Sequence, residues 1–155
     1  MTEDFTGFQE YLIERKHSAA RLLEIEDWQV LDMAAGELHV ACALPEAVIN
    51  SAGMLFGGFT PHYVDLLALW TAMTTMEGRT AWLMTVNMRV DYFEPIVRPG
   101  FHALSRVLNI RKRDYLIETR LENDQQTTLA YAVTTLRKVS DMQLRAVPGP
   151  KSADN

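Results

Sequence analysis

Cysteine is almost missing from this chain, since Cys42 is the only one in 155 residues. A lone thiol excludes an intramolecular disulfide and a thiolate metal cluster, and it fits a reducing compartment. Lying inside the apolar run 40–44, Cys42 reads as core packing rather than as a nucleophile. Net positive charge is missing as well. At −5 the chain is a poor general binder of nucleic acid, so no nucleic-acid partner is expected. No apolar run reaches the roughly 18 residues that a membrane span requires, because Asp65 and Glu77 bracket the longest one. No membrane partner is expected either. The first residues carry Glu3, Asp4 and Glu10 where a secretory signal would have a basic region and then an apolar one, and the expected setting is cytoplasmic. The histidines His17, His39, His62 and His102 are scattered without ligand spacing, and neither a serine elbow nor a phosphate loop is present. Neither a metal nor a dissociable cofactor is expected.

What is there suffices for one globular core, with 48% hydrophobic composition and no low-complexity interruption. Residues 1–24 form an expected N-terminal helical segment, residues 25–140 the domain, and residues 141–155 a tail in which Pro148, Gly149 and Pro150 precede small and polar residues. Charge is distributed unevenly. Residues 1–50 hold 3 basic against 10 acidic side chains, and residues 98–138 hold 8 against 4, so the second half is the place to meet an anionic ligand.

Residues 5–23 alternate apolar and charged groups as an amphipathic helix does, and 28–33 and 38–44 read as a hairpin joined at Ala34, Ala35 and Gly36. Residues 57–76 are almost continuously apolar and too long for a strand, which predicts a central helix. Pro61 is tolerated only in a first turn, so that helix must begin between Gly57 and Thr60. From residue 80 the period becomes two: Met84, Val86, Met88, Val90 and Tyr92 predict a core face, and Thr85, Asn87, Arg89 and Asp91 a polar one. Runs at 101–110, 115–121 and 127–138 complete an expected meander of four antiparallel strands. The order describes an α+β domain with a curved sheet wrapped around a long central helix. Such a sheet covers one side of the helix, so a homodimer or a dimer of dimers is expected.

Residues 50–65 concentrate the candidate chemistry. Gly57 and Gly58 remove two adjacent Cβ atoms at a helix start, where unpaired N–H groups and the helix dipole suit a developing oxyanion. The same pair would equally serve close helix-to-sheet packing. Asp65 lies two turns into the apolar helix, and a carboxylate there costs several kcal/mol unless it is paired. General-base or nucleophilic chemistry is one reason for it, and a structural hydrogen bond is the other. His62, one turn earlier, is a candidate partner or an exposed imidazole.

Asn50, Gly53, the pair Gly57 and Gly58, and Asp65, with Thr85 on the following strand, resemble the hotdog acyl-CoA thioesterases. The likeness is to the branch of phenylacetate-pathway and 4-hydroxybenzoyl-CoA thioesterases, and it spans roughly residues 25–138. The spacing of eight from Gly57 to Asp65 is its specific part. The resemblance implies that the Gly57 amide polarises a thioester carbonyl, that Asp65 attacks it or activates water, and that Asn50 positions the water or the thioester. It also implies that Thr85 comes from the opposite subunit. One departure stands out: members commonly carry His before the glycine pair, and this chain has Phe56. The ring would enlarge an apolar wall favouring a hydrophobic or aromatic acyl group, or simply pack in the core. Arg111, Lys112 and Arg113, with Arg137 and Lys138, are candidates for the nucleotide end of coenzyme A. The expected function is acyl-CoA hydrolysis to free acid and coenzyme A, with medium-chain or aromatic substrates. The alternative is a non-catalytic acyl-CoA-binding or regulatory protein. A dehydratase would need a catalytic His beside the glycine pair.

Overall fold

The computed structural model describes residues 18–76 and 82–139. A short helix α1 (Ser18–Leu23) and a 3-10 turn (Ile25–Asp27) lead into strands β1 (Gln29–Ala34) and β2 (Glu37–Ala43). Helix α2 (Thr60–Met73) follows, and then β3 (Trp82–Tyr92), β4 (Gly100–Arg111), β5 (Asp114–Glu122) and β6 (Thr128–Val139). The rest of the expected N-terminal helix and the expected tail lie outside the described residues. Among the described residues, no helix is long and apolar enough to cross a membrane.

All strand pairs are antiparallel, in the order β1-β2-β4-β5-β6-β3. The last four strands are therefore not a simple meander: β3 pairs with β6 at the free edge, and β4 pairs with β2. The reason is α2. Its 14 residues make a rod of about 21 Å, against about 19 Å for the four strand spacings between β2 and β3. The helix touches β2, β4, β5, β6 and β3 as it crosses, and so delivers the chain to the far edge. A long helix lying in the curve of one antiparallel sheet is the hotdog architecture.

The core fills the space between them. Leu38, Val40 and Cys42 of β2, Phe101 and Ala103 of β4, and Leu121 of β5 alternate inward to the cluster of Tyr63, Val64 and Leu67 of α2, while Ile117 of β5 joins Ala68 and Ala72. Tyr63 stacks on Trp28 at 5.4 Å and meets Phe101 edge-on at 5.1 Å, while its buried hydroxyl donates to the Ala43 carbonyl at 3.0 Å. Burial pushes the Tyr63 phenol, like the Cys42 thiol, well above its ordinary range. In α2 only Pro61, His62, Asp65 and Leu69 escape full burial, and their spacing by one, three and four puts them in one stripe.

β3 departs from simple alternation. Thr85 pairs with Leu136 and Asn87 with the adjacent Thr135, so Val86 is an extra residue, a bulge. A bulge reverses the faces of everything on one side of it. Beyond it Met88 and Val90 pack on the core as predicted, but before it Leu83 does so and Trp82 and Met84 are exposed. The expected core face of β3 is thus right for Met88 and Val90, wrong for the exposed Tyr92, and inverted before the bulge.

Candidate active site

The entry to α2 is built by Asn50. Its side-chain carbonyl accepts from the amides of Ala52 at 2.9 Å and Met54 at 3.1 Å, and its own amide donates to the Met54 carbonyl at 2.8 Å. Gly53 closes this turn at φ +78°, a left-handed conformation that suits glycine. The Leu55 and Phe56 amides then donate hydrogen bonds to the Ile96 and Val48 carbonyls. Asn50 therefore spends its oxygen on the loop, which leaves its NH2 as the group it can offer a ligand.

Gly57–Phe59 forms a 3-10 turn that feeds α2. The Phe59 amide donates to the Phe56 carbonyl at 2.8 Å and the Thr60 amide to the Gly57 carbonyl. The N–H groups of Gly57 and Gly58 find no hydrogen-bond acceptor among the described residues. They are adjacent donors at the positive end of a helix. Tyr92, the last residue of β3, leans on this turn: its hydroxyl donates to the Gly57 carbonyl at 2.8 Å, and its ring lies 3.9 Å from where a Cβ on Gly57 would be. A Cβ on Gly58 would stand 3.0 Å from the Phe56 ring, so the glycine lets Phe56 fold over the turn. That ring meets Phe59 edge-on and remains 56% exposed, so Phe56 is not core packing.

Asp65 is half-buried on the open stripe of α2, and the Thr85 hydroxyl donates to its Oδ1. This bond is made within one chain, where Thr85 was expected from the opposite subunit. The bulge is the cause, because it turns Thr85 toward its own helix instead of away from it. His62 is not the partner of Asp65; its Nε2 is buried and finds no hydrogen-bond partner.

Within one chain the two groups of functional atoms stand apart. The 3-10 turn and the helix that follows it place the Gly57 and Asp65 backbones roughly 12 Å apart along the axis. A cleft of about 290 Å³ opens on the Gly57 side, between Asn50, Met54, Thr60, Tyr92 and Ile96. A second, of about 340 Å³, lies on the outer face of the sheet around His39 and contains neither Gly57 nor Asp65. The rings of His39 and His102 are 5.6 Å apart there, and burial, then the neighbouring His102, hold the His39 imidazole below its ordinary range. Trp70 and Met73 are buried in the core while Trp82 and Met84 are exposed.

Arg111, Lys112 and Arg113 are exposed at the β4–β5 turn. Arg137 is already engaged: its Nε and Nη2 reach the two carboxylate oxygens of Asp114 at 2.7 and 2.9 Å. That hydrogen bond holds the Asp114 carboxyl below its ordinary range. Arg137 pairs in register with Met84, next to Thr85, so the basic turn belongs to the Asp65 side. Among the described residues, no group of three or more His, Cys, Asp or Glu could hold a metal ion. Tyr92 is the site residue that sequence reasoning missed; its target is a backbone carbonyl 35 residues upstream, which no spacing rule signals.

The sequence matches no family model and no curated protein. Solved structures do match the fold. A phenylacetic acid degradation-related thioesterase protein from Ralstonia eutropha JMP134 is 19% identical, with a TM-score of 0.68 over 79% of this chain and 90% of that one. A thioesterase from Haemophilus influenzae is 12% identical, with a TM-score of 0.68 over 80% and 84%. A hypothetical thioesterase protein from Streptococcus pneumoniae TIGR4, solved with coenzyme A, is 12% identical, with a TM-score of 0.66 over 74% and 90%. At these identities the likeness establishes the hotdog fold, and the chemistry rests on the residues of this chain.

Proposed function

We propose that this chain hydrolyses acyl-CoA thioesters to free acid and coenzyme A, and that two copies build each site. The observation that carries the proposal is the pair of free N–H groups at Gly57 and Gly58 together with a carboxylate, Asp65, oriented by Thr85. Two such donors meet an oxyanion, and a positioned carboxylate meets water or the thioester carbon; these are the requirements of acyl transfer to water. The 12 Å between them is bridged by a second copy, running antiparallel, whose Asp65 approaches the first copy's Gly57 and Gly58. The free edge of β3 supports this pairing, since it carries exposed Trp82, Met84 and Val86 and is open to another strand.

In this scheme the Asp65 oxygen not held by Thr85 takes a proton from water as the water oxygen attacks the thioester carbonyl. Negative charge collects on the carbonyl oxygen, against the two glycine amides. The C–S bond then breaks and the thiolate leaves with the proton that Asp65 had taken. Met54, Tyr92, Phe93 and Ile96 line the cleft with an apolar wall suited to a medium-chain or aromatic acyl group, and the exposed Phe56 ring stands beside Gly57 to extend it. Arg111, Lys112 and Arg113 face the nucleotide phosphates, a role for which Arg137 is less free. The structural neighbour solved with coenzyme A supports that class of ligand.

Purified protein given octanoyl-, benzoyl- and phenylacetyl-CoA should release thiol, and Asp65→Ala should bring the rate to background. No release from any of the three would sink the proposal. Calorimetric binding of the same compounds without turnover would select a non-catalytic acyl-CoA-binding protein in its place.

A further inference from the structure

We infer that Tyr92 is a positioning residue, whose hydroxyl aims the Gly58 N–H as a second oxyanion donor; the inference rests on the hydrolase proposal. A trans peptide unit is planar, with its C=O and N–H pointing in opposite directions. The unit joining Gly57 to Gly58 has its oxygen fixed twice, by the Thr60 amide and by the Tyr92 hydroxyl at 2.8 Å. Its N–H is therefore fixed too, and points away from both into the space beyond the turn. The preceding unit has only one tie on its oxygen, from the Phe59 amide, and the Gly57 N–H is correspondingly less constrained.

The tie matters because of where it is placed. Glycine has the widest backbone freedom of any residue, and here two stand in succession at an exposed turn. Without a second hold, the Gly57–Gly58 peptide could swing and carry its donor out of line. Tyr92 supplies that hold from the sheet, through a hydrogen bond to the Gly57 oxygen with its ring standing beside the turn. Oxyanion donors act by being in place before charge develops, so a donor that must reorient forfeits much of its effect. Tyr92 thus acts through Gly58, without requiring contact between its hydroxyl and the reacting atoms.

Tyr92→Phe removes one oxygen and keeps the ring. The expected result is a fall in kcat of about tenfold or more, with KM within about twofold, since loss of a whole oxyanion donor costs about a hundredfold or more. A merely structural tyrosine would instead lower the melting temperature or raise KM and leave kcat per folded site intact. The second readout needs no turnover. In the wild type, the Gly58 amide proton should move downfield on binding the ketone analogue of octanoyl-CoA in which CH2 replaces the thioester sulfur, and Tyr92→Phe should lose most of that shift. An unchanged kcat in the variant, or an equal Gly58 shift in both proteins, overturns the inference. Absence of hydrolysis by the wild type overturns the hydrolase proposal instead, and the amide shift then still decides whether Tyr92 orients Gly58.

Discussion

A carboxylate in the middle of an apolar helix announces itself, and Asp65 was singled out by that and by its spacing of eight from Gly57. Its partner was not. Thr85 was visible as a polar residue on the next strand, but one uncounted residue, Val86, reversed the face on which it lies. Tyr92 was placed on a core face and turned out to hold a carbonyl at the helix entry, because main-chain acceptors carry no side-chain signature. For Thr85 the expectation is specific. Thr85→Ala should lower kcat about tenfold to a hundredfold, as suits a group that orients a general base, and change stability by no more than about 1 kcal/mol. Thr85→Ser, which retains the hydroxyl, should recover most of the rate; steady-state kinetics beside urea unfolding separate the two effects. A serine variant as slow as the alanine one would show that the methyl group, not the hydrogen bond, matters.

Elements with strong periodicity were readable from the chain. The first hairpin, the helix start forced by Pro61, and the last three strands all lie within a residue or two of their expected places. Strand order was not readable, because local pattern says what an element is and not which neighbour a 14-residue helix will carry it to. Close approach between strands also leaves little trace. At Gly100, paired with Ala43, an added Cβ would lie 1.9 Å from the Cys42 carbonyl oxygen. Backbone cannot step aside as a side-chain tip can, so Gly100→Ala should cost about 3 kcal/mol or more in denaturant unfolding. Unfolding unchanged from the wild type would mean that β2 and β4 separate without penalty. The β4–β5 turn has a pH signature as well. Asp114 has its folded-state value lowered, so the stability it contributes is present above the ordinary carboxylate range and is lost as acid protonates the folded state. Asp114→Asn should flatten the loss of stability at the acid end of a pH series, and an identical slope would count against the pairing with Arg137.

At the scale of the whole molecule, the proposed shared site makes neither half sufficient alone. If two copies share each site, Asp65→Ala and Gly57→Pro, the latter removing an N–H, are both inactive alone yet complement each other. A mixed dimer has one site with both groups intact, so random assortment of equal amounts should recover about a quarter of the wild-type rate. No recovery in mixed dimers verified by mass spectrometry would place both groups in one chain. A second copy was expected from a helix too apolar for one sheet to cover, yet one chain already buries all of α2 except Pro61, His62, Asp65 and Leu69, so the proposal of a shared site rests on that open stripe. That single extra residue in β3 does two things at once. It turns Thr85 inward to Asp65, and it leaves Trp82 and Met84 outward at the free edge. If two copies pair through this edge as proposed, loss of Val86 would remove the orientation of the carboxylate and the apolar rim of the partner surface in one step. On that proposal, catalysis and pairing are inherited together, on one codon.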